Sequence, residues 1–186
     1  MDAPPRRKHL RRIEHTNHLR HLTFSTYQRL PLFATDHTRD LFAAALADLR
    51  TRAGFHLYAW VLMPEHTHIL LWPRLPDVPV PKMLRSLKSS VARSAINHFR
   101  ATNDPILPHL IIPNGSTRFW QRGGGYDRNL RHGDDINQVI EYIHHNPVRR
   151  ALVSRATDWH WSSARWYAGD RSSPVTIDPL PPKRPM

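Results

Sequence analysis

The densest apolar stretch of the chain is Phe55-His56-Leu57-Tyr58-Ala59-Trp60-Val61-Leu62-Met63. After a Pro64-Glu65 break comes a second, His66-Thr67-His68-Ile69-Leu70-Leu71-Trp72. Both runs are close to continuously hydrophobic rather than alternating, the pattern of strands covered on both faces, so they predict a β-hairpin. Upstream, Leu19 to Gln28 places Leu22, Phe24 and Tyr27 among Thr and Ser, a β-composition, and Arg29-Leu30-Pro31 ends it. Between these strands, Leu41, Phe42, Ala45, Leu46 and Leu49 recur at helical spacing from an N-cap at Asp36 to Ala53, with Gly54 as the stop.

Beyond the hairpin, Pro76 to Pro81 reads as a proline-rich loop. A second helix over Lys82 to Arg100 follows, with Met83, Leu84, Leu87, Val91, Ala95, Ile96 and Phe99 as its apolar face. Lys82, Arg85, Lys88, Arg93 and Arg100 occupy the rest of that helix, either as a solvated face or as phosphate contacts. Asn103 to Thr117 reads as an irregular loop, and Arg118-Phe119-Trp120-Gln121-Arg122 as a short strand before Gly123-Gly124-Gly125. Three glycines permit unusual backbone angles or the close approach of another backbone. They lack the spacing and the Lys-Ser/Thr ending of a phosphate-binding loop, which excludes a nucleotide triphosphatase. Asp134 or Asp135 caps a third helix running to about Asn146, where Pro147 stops it.

Val148 to Val153 is expected as an extended return segment. Asp158-Trp159-His160-Trp161-Ser162-Ser163 then opens a short last helix, with Trp159, Trp161, Trp166 and Tyr167 as packing groups. The division expected is a basic flexible arm (1–18), one catalytic domain (19–170) and a Pro-rich disordered tail (171–186). The element order suits an α+β fold, a ferredoxin-like two-layer sandwich with helices packed on a mostly antiparallel sheet.

Composition sharpens this picture. With 186 residues and 40% hydrophobic content the chain can bury a real core. Lys and Arg outnumber Asp and Glu by 27 to 15, a formal charge of +12, which is the signature of a polyanion binder. Nucleic acid is therefore the first partner expected, and no isolated basic amphipathic helix argues for a membrane surface. The absence of cysteine excludes disulfides, thiolate metal sites and a cysteine nucleophile. The basic, polar N-terminus carries no apolar signal region, and no run approaches the ~20 residues of a membrane span, so a soluble cytoplasmic protein is expected.

Two places carry candidate chemistry. Side chains alternate across a strand, so His66 and His68 share a face while Thr67 points away. The pair reads either as two nitrogen ligands for one divalent ion or as two partly buried histidines. In the third helix, Ile136, Val139, Ile140 and Ile143 form the apolar stripe, and Tyr142 and Asn146 lie one turn apart at its edge. That tyrosine is either a reactive hydroxyl within reach of solvent or a packed ring with a wet tip.

Four segments in order then resemble a family. Pro64-Glu65-His66-Thr67-His68, Trp120-Gln121-Arg122, Tyr142-Ile143-His144-His145-Asn146-Pro147-Val148 and Asp158-Trp159-His160-Trp161-Ser162-Ser163 are similar to the REP-associated tyrosine transposases, in the single-tyrosine HUH superfamily of insertion-sequence transposases. The resemblance spans Leu19 to about Tyr167. Thr67 stands where the family usually has a bulky apolar residue, and Gly123-Gly124-Gly125-Tyr126-Asp127-Arg128 departs from the aromatic-rich segment expected there.

The resemblance implies a metal-dependent transposase that cleaves and rejoins single-stranded DNA at hairpin repeats through a 5′-phosphotyrosine intermediate. Tyr142 is the implied nucleophile, with Tyr126 as its rival. His66, His68 and Asn146 are the implied ligands of Mg²⁺ or Mn²⁺, with His145 or Glu141 as substitutes for Asn146. Arg118, Arg122, Arg128, Arg131, Arg149 and Arg150 are the expected DNA contacts. No nucleotide cofactor is implied, the expected state is a monomer or homodimer, and the location is cytoplasmic and nucleoid-associated. Two alternatives remain open: a hairpin-binding protein without turnover, and a metal-dependent nuclease in which water attacks.

Overall fold

The computed structural model describes residues 19–73, 79–123, 125–130 and 135–180. Strand β1 (Leu19–Ser25) is followed by helix α1 (Asp36–Ala53), the hairpin strands β2 (Phe55–Leu62) and β3 (His66–Pro73), and the long helix α2 (Val80–Ala101). After the short helix α3 (Leu107–Leu110) come strand β4 (Tyr126–Leu130), helix α4 (Ile136–His144), and the one-turn helices α5 (Asn146–Arg149) and α6 (Ala164–Tyr167). The four strands form one sheet in the order β2-β3-β1-β4, and every neighbouring pair is antiparallel. This is the expected α+β architecture, helices packed on an antiparallel sheet.

Register assigns the two faces. Thr23 lies opposite His68 and Ser25 opposite His66, while on the other side of β1 Thr23 pairs with Tyr126 and His21 with Arg128. Directly opposed side chains share a face, so His66, His68, His21, Thr23, Tyr126 and Arg128 all project one way. The alternate positions of β1 to β3, Leu22, Phe24, Trp60 and Ile69, are buried on the other face. There Phe42 of α1 stacks on Trp60, and the Lys88 ammonium of α2 lies over the Phe24 ring. Helix α4 packs on the opposite side, seated through Ile140 and Ile143.

The local signals explain most boundaries. Gly54 ends α1 in the left-handed conformation with its N–H on Arg50 O, as expected. The cap at the start differs: Thr35, not Asp36, accepts the Thr38 N–H, and Asp36 is the first helical residue. Asp135 caps α4 by accepting from the N–H groups of Asn137 and Gln138, whereas Asp134 lies outside the described residues.

Five expectations are corrected. The 103–117 loop contains α3 and a bridge between Ile111 and Thr117. Residues 118–122 contribute one bridge, Thr26 with Trp120, and the fourth strand is Tyr126–Leu130 instead. Pro147 does not simply stop the third helix: α4 ends at His144, and Pro147 falls in the first turn of α5, where its missing N–H costs nothing. The 148–153 return strand is therefore absent, since α5 and a turn occupy its start. Residues 160–163 run along β2, with a bridge between Val61 and Ser162, before α6 begins at Ala164. The Trp159 and Trp161 indoles are buried as expected, donating to Leu62 O and the Asp40 carboxylate.

The described part of the 171–186 segment is also not disordered. Val175 and Ile177 are buried in the core, and Asp178 pairs with Arg50 and accepts the Leu57 N–H. Prolines remove donors without preventing apolar side chains from docking. The 1–18 arm, most of the 76–81 loop and Arg131 lie outside the described residues.

Candidate active site

The face carrying the histidine pair opens as a cleft of about 550 Å³ lined by His21, Thr23, His68, Tyr126, Arg128, Gln138, Val139 and Tyr142. Strand alternation in β1, β3 and β4 supplies the histidines, Thr23, Tyr126 and Arg128. One turn of α4 supplies Gln138 and Tyr142, four residues apart on the same side of the helix.

Tyr142 stands edge-on to His68, with ring centroids 5.6 Å apart and planes at 88°. Its side chain is 43% exposed. The ring is thus held by the histidine while its rim meets solvent. The His66 and His68 rings lie 5.0 Å apart at 81°. Tyr126, the rival, lies 6.0 Å from His21 and is 48% exposed. His21 stands between the two tyrosines, 6.1 Å from the Tyr142 ring.

Both histidines of the pair are oriented through Nδ1. His66 Nδ1 is 3.1 Å from Glu65 Oε1. His68 Nδ1 lies 2.9 Å from Thr23 Oγ1 and 3.3 Å from His21 Nε2. This arrangement turns the Nε2 atoms to other partners, and His68 Nε2 is buried without any hydrogen-bond partner. A buried imidazole nitrogen left unpaired is costly in an apolar protein, and an ion there satisfies it. The donor set fits a divalent ion as a two-nitrogen ligand pair, completed by oxygen from an amide, water or phosphate. Among the described residues no three His, Cys, Asp or Glu side chains cluster as a metal site. Asn146 has its amide nitrogen committed to Tyr142 O at 2.8 Å, which leaves Oδ1 as its donor atom. His145 bonds Glu141 O through Nδ1 at the helix end.

Electrostatics keep the imidazoles neutral. Burial pushes His68 down to about 3, helped by its neighbours His66, His21 and Arg29. Burial also lowers His21 to about 4, with Arg128 adding to it. His66 is lowered by burial even though the Glu65 carboxylate opposes the shift. For Glu65 burial opposes ionisation, and His66, Arg150 and Arg29 together overcome it, holding the carboxyl below its ordinary range. Neutral imidazole is the ligand form.

The expected DNA contacts scatter around this cleft. Arg128 lines it, and the Arg149 guanidinium sits 5.2 Å over the Tyr142 ring. Arg150 reaches Glu65 at 3.2 Å. Arg118 packs over Tyr27, and Arg122 is exposed further out. Sequence reasoning missed His21, Thr23, Gln138 and Glu65. The alternation of His21 and Thr23 opposite Leu22 and Phe24 was the available signal for the first two.

A sequence profile described as "Transposase IS200 like" matches residues 14–146. The chain belongs to the IS200-like transposase family. Among relatives of this transposase, a REP-associated tyrosine transposase of Escherichia coli K12 is 24% identical over 119 residues, covering 64% of this chain and 60% of that one. A chain named as such a transposase in Haemophilus influenzae is 23% identical over 141 residues, 76% of each. A solved REP-associated tyrosine transposase bound to a REP hairpin superposes with a TM-score of 0.63 at 18% identity, over 96% of this chain and all of the other. That likeness confirms the fold of an IS200-like transposase. Among the described residues, no helix of this family member is long and apolar enough to cross a membrane.

Proposed function

We propose that this IS200-like transposase cleaves single-stranded DNA at hairpin-forming repeats and rejoins it through a 5′-phosphotyrosine link on Tyr142. The observation that carries the reading is the edge-on contact of Tyr142 with His68, 5.6 Å between centroids, in a cleft open to solvent. The hairpin is carried over as a ligand class from the solved relative that holds one.

His66 and His68 would hold Mg²⁺ or Mn²⁺ through Nε2, with Asn146 Oδ1 as the oxygen donor of the chain. When bound, the ion supplies Lewis-acid polarisation of the scissile phosphate and offsets its developing charge. Tyr142 Oη attacks phosphorus in line and loses its proton, the P–O3′ bond breaks, and the 3′ oxygen leaves as a protonated 3′-OH. The Oη–P bond keeps the phosphodiester energy, so a second 3′-OH can attack the same phosphorus and free the tyrosine without a nucleotide cofactor. Arg149 over the Tyr142 ring and Arg128 on the cleft wall are in position to donate to strand phosphates.

A hairpin oligonucleotide with a single-stranded flank, incubated with Mn²⁺, tests the reading. The parent is expected to form an adduct that survives denaturing electrophoresis, and Tyr142→Phe none. Equal adduct in Tyr142→Phe overturns the nucleophile. Nicking that persists in Tyr142→Phe and vanishes in His66→Ala marks a hydrolase, and tight binding indifferent to chelator with no cleavage marks a binding protein.

A further inference from the structure

Glu65, in the turn between β2 and β3, gathers three segments of the chain on one atom. Its Oε1 lies 3.1 Å from His66 Nδ1, 3.2 Å from an Arg29 Nη and 3.2 Å from an Arg150 Nη. The carboxylate is fixed rather than draped. Thr26, fully buried beyond the end of β1, gives both its N–H (2.9 Å) and its hydroxyl (3.0 Å) to Glu65 O. Arg29 is held as firmly at its backbone: Gln28 and Arg29 both adopt left-handed φ values, 50° and 55°. Non-glycine residues remain there only when the surroundings enforce it. The Gln28 N–H donates to Gln121 Oε1, and the Arg29 N–H to Thr26 O.

The charge balance of this junction is open. One carboxylate faces two guanidiniums, leaving a surplus positive charge beside the histidine pair. The Glu65 side chain is 9% exposed, whereas those of Arg29 and Arg150 are 59% and 54% exposed. Each guanidinium carries five N–H donors in a rigid fork and reaches Glu65 through one nitrogen. Forks of that kind suit the planar array of phosphate oxygens.

We infer that Arg29 and Arg150 form a paired guanidinium clamp for one backbone phosphate of the DNA strand, adjacent to His66 and His68. Glu65 is the positioning residue that sets both forks and the His66 ring. The inference deepens the proposed function and rests on it for the identity of the polyanion. It adds Arg29, and it ties the Glu of Pro64-Glu65-His66 to strand placement.

The test uses the full chain in chelator, so that binding is read without cleavage. Phosphates along the single-stranded flank are replaced one at a time by neutral methylphosphonate, and affinity is measured by fluorescence anisotropy across a salt series. The parent is expected to lose about 10-fold at one linkage, the scale of a charge-assisted contact. An Arg29→Gln/Arg150→Gln pair should be insensitive there and bind with a salt slope shallower by about 2. An Arg29→Lys/Arg150→Lys pair, which spares the charge of the junction, should keep the slope and lose the single-linkage effect. Glu65→Gln should also lose it at an unchanged slope, because both guanidiniums remain but are no longer held together. The same linkage map and slope in the parent and both arginine pairs overturn the clamp, and a parent-like Glu65→Gln removes its positioning role. Failure to form a covalent adduct while the map stands overturns the strand-transfer reading and leaves the clamp.

Discussion

Tyr142 and His68, 74 positions apart in sequence, meet edge-on within one chain at 5.6 Å between ring centroids. The contact is built from both sides: Asp135 fixes the start of α4, Ile140 and Ile143 seat it, and the β1–β3 register aims His68. One copy of the chain therefore carries both the proposed nucleophile and the proposed ligand. Mixing Tyr142→Phe with His68→Ala protein should restore no adduct. Recovery toward half the parent's yield would show instead that helix and ligand pair come from different copies.

Thr23 orients His68 through a 2.9 Å contact to Nδ1. Thr23→Val keeps the shape of the side chain and removes the hydroxyl, so the ring loses one of the two groups that aim it. Loss of such an orienting partner typically costs 10- to 100-fold in metal affinity. Mn²⁺ titration followed by electron paramagnetic resonance should show a weakening on that scale, with hairpin binding in chelator unchanged. Unaltered Mn²⁺ affinity would mean that the hydroxyl does not support a metal ligand.

Gly125 has φ +68°, and a Cβ built on it would come within 2.1 Å of Thr23 O. Gly125→Ala must therefore push β4 off β1, against the buried Arg20–Asp127 ion pair that holds the strand. Left-handed strain alone costs about 1–2 kcal/mol. Urea unfolding should show at least that loss. Hairpin affinity should fall with it, since Tyr126 and Arg128 leave the cleft wall.

The same strand shows where sequence reading stops. The β2–β3 hairpin was legible because burial on both faces writes an unbroken apolar run, and with it the His66/His68 pair and the rim position of Tyr142. Strand β4 has one buried residue, Leu130, so Tyr126-Asp127-Arg128-Asn129 carries no strand periodicity of its own. Its pairing comes from β1 and from a glycine that allows close approach. His21 and Glu65 escaped notice for a related reason: what each does depends on cross-strand register and on partners far along the chain. Val175 and Ile177 were hidden by surrounding prolines, and only the core they fill marks them as apolar anchors.

Acid should unfold the protein through its buried histidines, and His144 isolates the effect. It is buried, bonded to Ser163 Oγ at 2.8 Å, and lowered by burial, and secondarily by His145, to about 4. The unfolded chain binds that proton near 6.5 while the folded protein resists it. The stabilisation is therefore complete above pH 6.5 and drains away as pH falls toward 4, up to about 3 kcal/mol in all. Urea unfolding between pH 6 and 4.5 should lose stability steeply in the parent. His144→Asn, which still offers Ser163 a polar partner, should show a slope shallower by up to one proton, about 1.4 kcal/mol per pH unit. Because His21 and His68 shift in the same direction, the variant should retain part of the slope. Parallel curves for parent and variant would mean that His144 is charged in the folded protein, at odds with its burial.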